Sequence, residues 1–340
     1  MRRTRTAQRG FTLVELMISL IIFSFAVAGV LAVAVSMTQG FREQRASVTT
    51  ESAVRVPLDF IADAIRQSSP GSPANAIYDP NTCTTTGIQV YNNATTPTGI
   101  AAGTDKLDVI FASGAVVTST REIYNNNASL TVTDGSQLSV GDSIVISDGT
   151  VGMLARITAV NTNVLTLVVP GSCGITLPAN AAGPYAAGSL VIRAQHALFY
   201  VGSVSDGGSG TNPTLLMDPD GKESTSDAEP MAEGVEDLQL VKAEDLNGSG
   251  FVDPEGSNAA AMATDEWLFN ISTDAADTNA TLRAVRVTMV ARTLSGLVGN
   301  LKSYNRPAVE DHAAAAVNTD NYRRRILRQT VEIRNTSASP

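Results

Sequence analysis

The segment "DLNGSGFVDPEG", residues 245 to 256, carries oxygen-bearing side chains at the spacing of a calcium-binding loop. Asp, Asn and Ser alternate, a glycine follows, and a second aspartate comes later, as in an EF-hand loop. Gly256 stands where that loop has its bidentate glutamate, and Glu255 comes one residue too early. The alternative is a solvated turn between strands. The candidate calcium ligands are Asp245, Asn247, Ser249, Asp253 and the Phe251 carbonyl.

Two cysteines, Cys83 and Cys173, are too few for a disulfide framework or a four-cysteine zinc site. They could form one disulfide, which would close a long loop and stabilise the fold by roughly 4 kcal/mol in the chain-entropy model. The alternative is two separate thiols, because the sequence does not show whether they lie close together.

Catalytic patterns are poor, so we expect that the protein is not an enzyme. His196 and His312 are the only histidines, and neither belongs to an HExxH motif. The "GDSI" segment at 141–144 resembles a short serine-hydrolase motif, but it lies between strand-like runs as a turn. No cofactor is expected with certainty; calcium is the one candidate.

The charge distribution argues against nucleic acid as a partner. The chain has 33 acidic residues against 24 Lys and Arg, which gives a formal net charge of −9. An arginine-rich segment, "YRRRILR", could bind an acidic partner, form a solvated strand edge or pair with the acids of the protein itself. Its arginines are Arg323, Arg324, Arg325 and Arg328.

The element that precedes these candidates is a long apolar run at residues 11–37, in which Glu15 is the one charged residue. As a helix it would extend roughly 40 Å at about 1.5 Å per residue, enough to span a bilayer. Arginines before the run favour a cytoplasmic N-terminus, which would place the following residues outside the cytoplasm. The run is too long for an ordinary signal peptide. A plain, unprocessed anchor remains an alternative, with Glu15 at the headgroup level.

The start of the run, "GFTLVE" at residues 10–15, follows basic residues and resembles the processing site of type IV prepilins. The resemblance implies that a prepilin peptidase removes residues 1–10 by cutting between Gly10 and Phe11, and that the new amine on Phe11 is methylated. It also implies that Glu15 pairs with the amine of a neighbouring subunit during assembly. A carboxylate in the first turn of a helix is favoured by the helix dipole as well.

The remaining sequence predicts an α+β, pilin-like fold. Leu58, Ile61 and Ile65 have helical spacing, so a stem helix at 11–68 should pack its second half on a globular domain. Residues 69–340 read as an antiparallel, β-rich extracytoplasmic domain, and 115–185 could be an inserted β subdomain. The segment 283–292, "RAVRVTMVAR", alternates apolar and polar residues, which predicts a half-buried strand.

Three segments in the C-terminal half, together with "PLDFIADAIRQ" after the stem, resemble PilW-like minor pilins; the three are "GVEDLQLVKAEDLNGSGFVD", "LRAVRVTMVAR" and "YRRRILRQTVEIRN". This resemblance implies a minor pilin that primes a type IV pilus or lies near its tip. It implies as partners the prepilin peptidase, the other minor pilins, the major pilin and the inner membrane. The protein would be a single-pass inner-membrane protein first and part of an extracellular filament later. Alternatives are a minor pseudopilin of type II secretion and an adhesion module at the filament tip.

Overall fold

The computed structural model describes residues 12–73, 76–79, 84–124, 128–168, 184–205, 211–221, 227–271, 281–294, 305–314 and 320–334. The chain divides into two compact units, residues 1–49 and 50–340. The helices are α1 (Leu13–Arg66) and α2 (Ala259–Met262). The strands are β1 (Ile77–Asp79), β2 (Thr84–Thr86), β3 (Ile88–Tyr91), β4 (Lys106–Ser119), β5 (Ser129–Thr131), β6 (Ser143–Ser147), β7 (Gly152–Asn161), β8 (Val164–Leu167), β9 (Leu190–Ser205), β10 (Thr211–Asp218), β11 (Glu229–Glu233), β12 (Val235–Asp245), β13 (Trp267–Leu268), β14 (Thr281–Arg292) and β15 (Arg324–Glu332).

The residues that directly follow α1 explain where the helix ends. The helix ends at Arg66, slightly before the predicted Ser68, because the next residues leave helical geometry. Ser68 forms an antiparallel bridge with Phe111, and Ser69 has a φ of 51°, in the left-handed region. Pro70 then follows, which cannot continue the helical hydrogen bonding.

Most of the described strands belong to one large sheet. Its main path runs β11-β10-β9-β6-β7-β1-β2, and β4 joins it by pairing with β9. Strand β9 pairs with β10, β4 and β6 in antiparallel fashion, whereas β1 and β7 run parallel. The expected α+β fold, a long N-terminal helix with an antiparallel β-rich domain, is confirmed.

A smaller sheet of four strands has the order β13-β12-β14-β15 and is antiparallel throughout. One hydrophobic core joins it to the large sheet and to the last turns of α1. Leu58, Ile61 and Ile65, the predicted helix stripe, are all buried there. Burying such a stripe stabilises the helix more than its intrinsic propensity does.

Strand β14 is antiparallel as predicted, but the prediction that it is half-buried is wrong. Val285 and Val287 face the hydrophobic core, and the alternate residues Arg286 and Thr288 are buried as well. Their side of the sheet is covered by charged side chains from distant loops, among them Glu310. Alternation in the sequence shows which face is apolar, but it does not show what covers the polar face.

Residues between about 115 and 185 contribute to a second hydrophobic cluster, separate from the first. Its members include Leu130, Val132, Ile157 and Leu165. Strand β8 pairs with β5 and β7, so this region has its own small antiparallel arrangement. The bounds of the inserted subdomain stay a prediction.

Candidate functional site

Helix α1 begins with reciprocal hydrogen bonds between Thr12 and Glu15. The Glu15 backbone N–H donates to the Thr12 hydroxyl at 3.2 Å. In return, a Glu15 carboxylate oxygen accepts from the Thr12 backbone N–H at 3.2 Å and from its hydroxyl at 3.1 Å. This arrangement is a capping box, which satisfies backbone donors at the start of a helix.

The capping role of Glu15 is a second function that the sequence reasoning missed. Its signature, Thr12 followed three residues later by glutamate, is visible in the sequence beside the assembly role that the prepilin resemblance implies for the charge. Gly10 and Phe11 lie outside the described residues, so cleavage between them and methylation of Phe11 stay predictions.

Large apolar side chains cover the first half of α1 on all sides, and they are exposed in the isolated chain. They include Leu13, Phe23, Phe25 and Met37. The helix is long and apolar enough to cross a membrane. An apolar surface of this extent is unfavourable in water and requires cover by lipid or by other subunits. Together with the prepilin-like start of the run, this exposure indicates that α1 anchors the protein in a membrane.

The calcium-type loop follows β12, and its first candidate ligand, Asp245, is buried. One oxygen of its carboxylate accepts from the Gly250 backbone N–H and from the Arg283 guanidinium, each at 2.8 Å. The hydrogen bond from Arg283 is the main cause that lowers the pKa of Asp245. Its other oxygen is buried and accepts no hydrogen bond from any residue in the described ranges. That oxygen is therefore available to a cation.

The other candidate ligands are brought together in the same loop. The Asn247 side-chain oxygen accepts from the Ser249 backbone N–H at 2.8 Å, and the Asn247 amide donates to Asp253 at 3.0 Å. The Ser249 hydroxyl donates to the Phe251 carbonyl at 3.0 Å. Hard oxygen donors of this kind suit calcium. However, Arg283 already supplies a positive charge next to Asp245, so a calcium ion would compete with it.

Glu266, which the sequence reasoning did not single out, organises this loop. It is buried, and its carboxylate accepts from the backbone N–H groups of Leu246 and Asn247 at 3.0 and 3.2 Å. Its second oxygen accepts from the Asp253 backbone N–H at 2.7 Å. Glu266, the residue directly before β13, therefore fixes the loop, and only the tertiary fold brings it there. Calcium binding by the loop stays a prediction.

The imidazole of His196 is buried and contacts two carboxylates of the protein itself. It is buried on β9, with Nε2 at 2.7 Å from Asp108 and Nδ1 at 3.1 Å from Asp79. Burial lowers the pKa of His196, but the hydrogen bonds to Asp108 and Asp79 outweigh it and raise the pKa to about 9. The imidazolium therefore connects three strands, β1, β4 and β9, by a charge-assisted hydrogen bond to Asp108 and a close ion pair with Asp79.

The arginine-rich segment pairs with acids of the protein itself. Arg324 contacts Glu236 at 2.5 Å and Asp320 at 2.6 Å, and Arg328 contacts Glu310 at 2.7 Å. Of the alternatives for this segment, the structure supports internal pairing for these two arginines. Cys83 and Cys173 lie outside the described residues, so the disulfide stays a prediction.

Two family models match the chain, one at each end. The model for the prokaryotic N-terminal methylation motif matches residues 5–31, which include the capping box and the start of the apolar helix. The model for Type IV Pilus-assembly protein W matches residues 198–335, from β9 to just beyond β15. Neither the curated proteins nor the solved structures gave a match. The two matches support a PilW-like, type IV prepilin-like protein that is related to the minor pilins of type IV pilus systems.

Proposed function

We propose that this minor pilin primes assembly of a type IV pilus and remains near the filament tip after prepilin peptidase has removed residues 1–10. Its partners are then the other minor pilins, the major pilin and the inner membrane, with the N-terminus on the cytoplasmic side before assembly. Its role is structural rather than catalytic. A pseudopilin role in type II secretion is the alternative.

One observation carries the proposal: the apolar side chains of α1 are exposed, and a carboxylate lies in the first turn of this helix. Glu15 is exposed at the first turn of α1, and the helix beyond it presents apolar side chains on every side. Helices of this kind can leave the bilayer only if they pack against one another, where a charge needs a partner of opposite sign. The methylated amine of a neighbouring subunit would supply that partner.

Support for a position near the tip comes from the size of the globular unit. It extends from residue 50 to residue 340 and contains two sheets. Subunits inside a helical filament have neighbours above and below, whereas a subunit at the end has neighbours on one side only. A large unit is accommodated most easily at the end.

The capping box allows a sharp test of the assembly role, because charge and capping can be separated. Glu15→Gln keeps a side chain that can complete the capping box, but it removes the charge. Glu15→Val removes both, and Thr12→Val removes part of the cap while it keeps the charge. We expect all three variants to enter the membrane and to be processed. Sheared filaments are then probed for the protein, with membrane fractions as the loading control.

If the charge serves assembly, Glu15→Gln and Glu15→Val are both depleted from filaments, and Thr12→Val is present near the wild-type level. If Glu15 serves only as a cap, Glu15→Gln assembles normally, and the pairing role is refuted. Detection of the wild-type protein in sheared pili also separates the pilus from a secretion role.

Processing separates the proposal from the unprocessed anchor. Replacing Gly10 by a bulky residue should block cleavage, because the peptidase must approach the backbone closely there. The measurement is the intact mass of the purified protein. A normal mature mass in that variant, or a wild-type chain that still begins at Met1, would contradict the prepilin mechanism.

A further inference from the structure

Three carboxylates meet at the end of β10, in a place separate from the loop at 245–256. Asp218 is the last residue of β10, and Asp220 and Asp227 lie between β10 and β11. One oxygen from each lies within 4.8 Å of the other two. Like charges at this distance repel one another, and the repulsion grows where water is excluded.

Buried oxygens without partners lie at this cluster. Asp218 is 0% exposed; one of its oxygens accepts the Asp220 backbone N–H at 3.1 Å, and its Oδ2 accepts no hydrogen bond from any described residue. Such atoms are rare in folded proteins, because a buried oxygen ordinarily has a protein group, a water molecule or an ion as its partner.

Tyr200 supplies a second, independent observation. It is 1% exposed, and it lies on the same sheet face as Asp218, since Tyr200 pairs with Leu216 and Asp218 with Leu198. Its hydroxyl is also buried without a partner among the residues that the structure describes. Burial and the nearby charges of Asp218 and Asp227 raise the pKa of that hydroxyl. Two buried, unpartnered oxygens therefore adjoin one cluster of negative charge.

The cluster opens on a cavity of about 670 Å³ that is lined by Asp220 and Asp227. Among the residues that the structure describes, the positive groups that line the same cavity are His196, Arg193 and Arg156. His196 and Arg193 are already paired with other carboxylates. The cavity gives an ion and its remaining water ligands access to the cluster.

We propose that Asp218, Asp220 and Asp227 bind a calcium ion. The donors are all carboxylate oxygens, which suit a hard cation, and no thiolate or imidazole of a described residue belongs to the cluster. Calcium holds oxygens at about 2.3–2.6 Å, so two ligands of one ion are at most about 5 Å apart, a limit that the three carboxylates satisfy.

The electrostatics of Asp218 agree with this assignment. Burial, followed by the charges of Asp227 and Asp220, raises the pKa of Asp218. A divalent cation replaces this repulsion by attraction and supplies the partner that the buried oxygen lacks. Calcium binding at this place goes beyond the assembly role and does not depend on it.

The test is titration of CaCl₂ into the full chain in detergent micelles, after chelator treatment and dialysis, followed by calorimetry. Asp220→Asn and Asp227→Asn each replace one carboxylate on the less buried side of the cluster by a neutral amide, so both variants should fold. We expect each to weaken calcium binding by about tenfold or more, because affinity depends on the number of charged ligands. Glu233→Gln is the matched control, since it removes one exposed charge from the adjacent strand β11. It should leave the affinity unchanged.

Asp245→Asn separates this site from the loop at 245–256, and it should leave the heat of the cluster site intact. Asp218→Asn should abolish that heat and also raise the melting temperature of the calcium-free protein, because it removes a buried charge. Three results would overturn the proposal: no heat with the wild-type chain, an affinity equal to that of the wild type in both Asp220→Asn and Asp227→Asn, or complete loss of binding in Asp245→Asn alone.

Discussion

Replacing Arg286 by methionine should strongly destabilise the four-stranded sheet. The Arg286 side chain is 7% exposed and contacts Glu255 at 2.7 Å and Glu310 at 2.7 Å. It also lies over the ring of Trp267, at 5.1 Å from the centroid. Methionine has a similar length but no charge, so the substitution leaves the two carboxylates without their shared partner.

The size of the stability loss depends on which partners the Glu310 carboxylate retains. Its side chain is 3% exposed, so its charge cannot be solvated directly. It still accepts from the Thr288 hydroxyl at 2.7 Å and contacts Arg328 at 2.7 Å, although Arg328 is 51% exposed. Removing one partner of a buried pair commonly costs about 3–5 kcal/mol, and this partial compensation places the expected loss near the lower end, about 3 kcal/mol.

A second substitution tests the reasoning directly. Glu310→Gln, added to Arg286→Met, removes the uncompensated charge and keeps an acceptor for Thr288. The double variant should therefore be more stable than Arg286→Met alone, by about 1–2 kcal/mol. Arg328 loses its acid in that variant, but it is half exposed, so the cost is small.

The assay is urea unfolding of the full chain in detergent micelles, followed by fluorescence. Trp267 is the only tryptophan, and it lies in β13, so its emission reports on this sheet. The control is Arg55→Met, which breaks the exposed pair with Glu51 and should cost less than about 0.5 kcal/mol. A loss below about 1 kcal/mol for Arg286→Met, or a double variant that is less stable than the single, would refute the buried-charge argument.

Three further predictions concern the remaining features. Because the pKa of His196 is raised to about 9, its charged form stabilises the fold fully below pH 6.5, and this stability is lost as the pH rises through about 9, by up to about 1.4 kcal/mol per pH unit. In urea unfolding across that pH range, the free energy of unfolding should decline less for His196→Gln than for the wild type. Ile61→Ala should cost about 2–5 kcal/mol in the same assay, because it leaves a cavity in the main core. Calcium should raise the melting temperature less in Asp245→Ala than in the wild type if the 245–256 loop binds it; equal shifts would contradict that site.

The features that the sequence predicted are those set by neighbours along the chain. The stripe of Leu58, Ile61 and Ile65 depends only on helical periodicity, and the structure buries all three. The prepilin-like start of α1 is equally local, and so is the capping box of Thr12 and Glu15, which the sequence contains even though the reasoning overlooked it.

Other features required the tertiary structure because their members are far apart in the chain. Glu266 reaches the loop that begins at Asp245 only because β12 and β13 pair, and no local pattern indicates this contact. Likewise, Glu255 and Glu310 reach Arg286 from separate loops, so the polar face of β14 is buried rather than solvated.

The sequence by itself therefore determined the class of the protein: an apolar helix that starts at a prepilin-like motif and precedes a β-rich domain. Only the tertiary structure decided which charges are buried and which oxygens lack partners. Asp218 and Asp220 are close in the sequence, but their link to Asp227 and Tyr200 exists only in the folded sheet. Burial and ion pairing depend on the three-dimensional arrangement, whereas periodicity and capping depend on the chain alone.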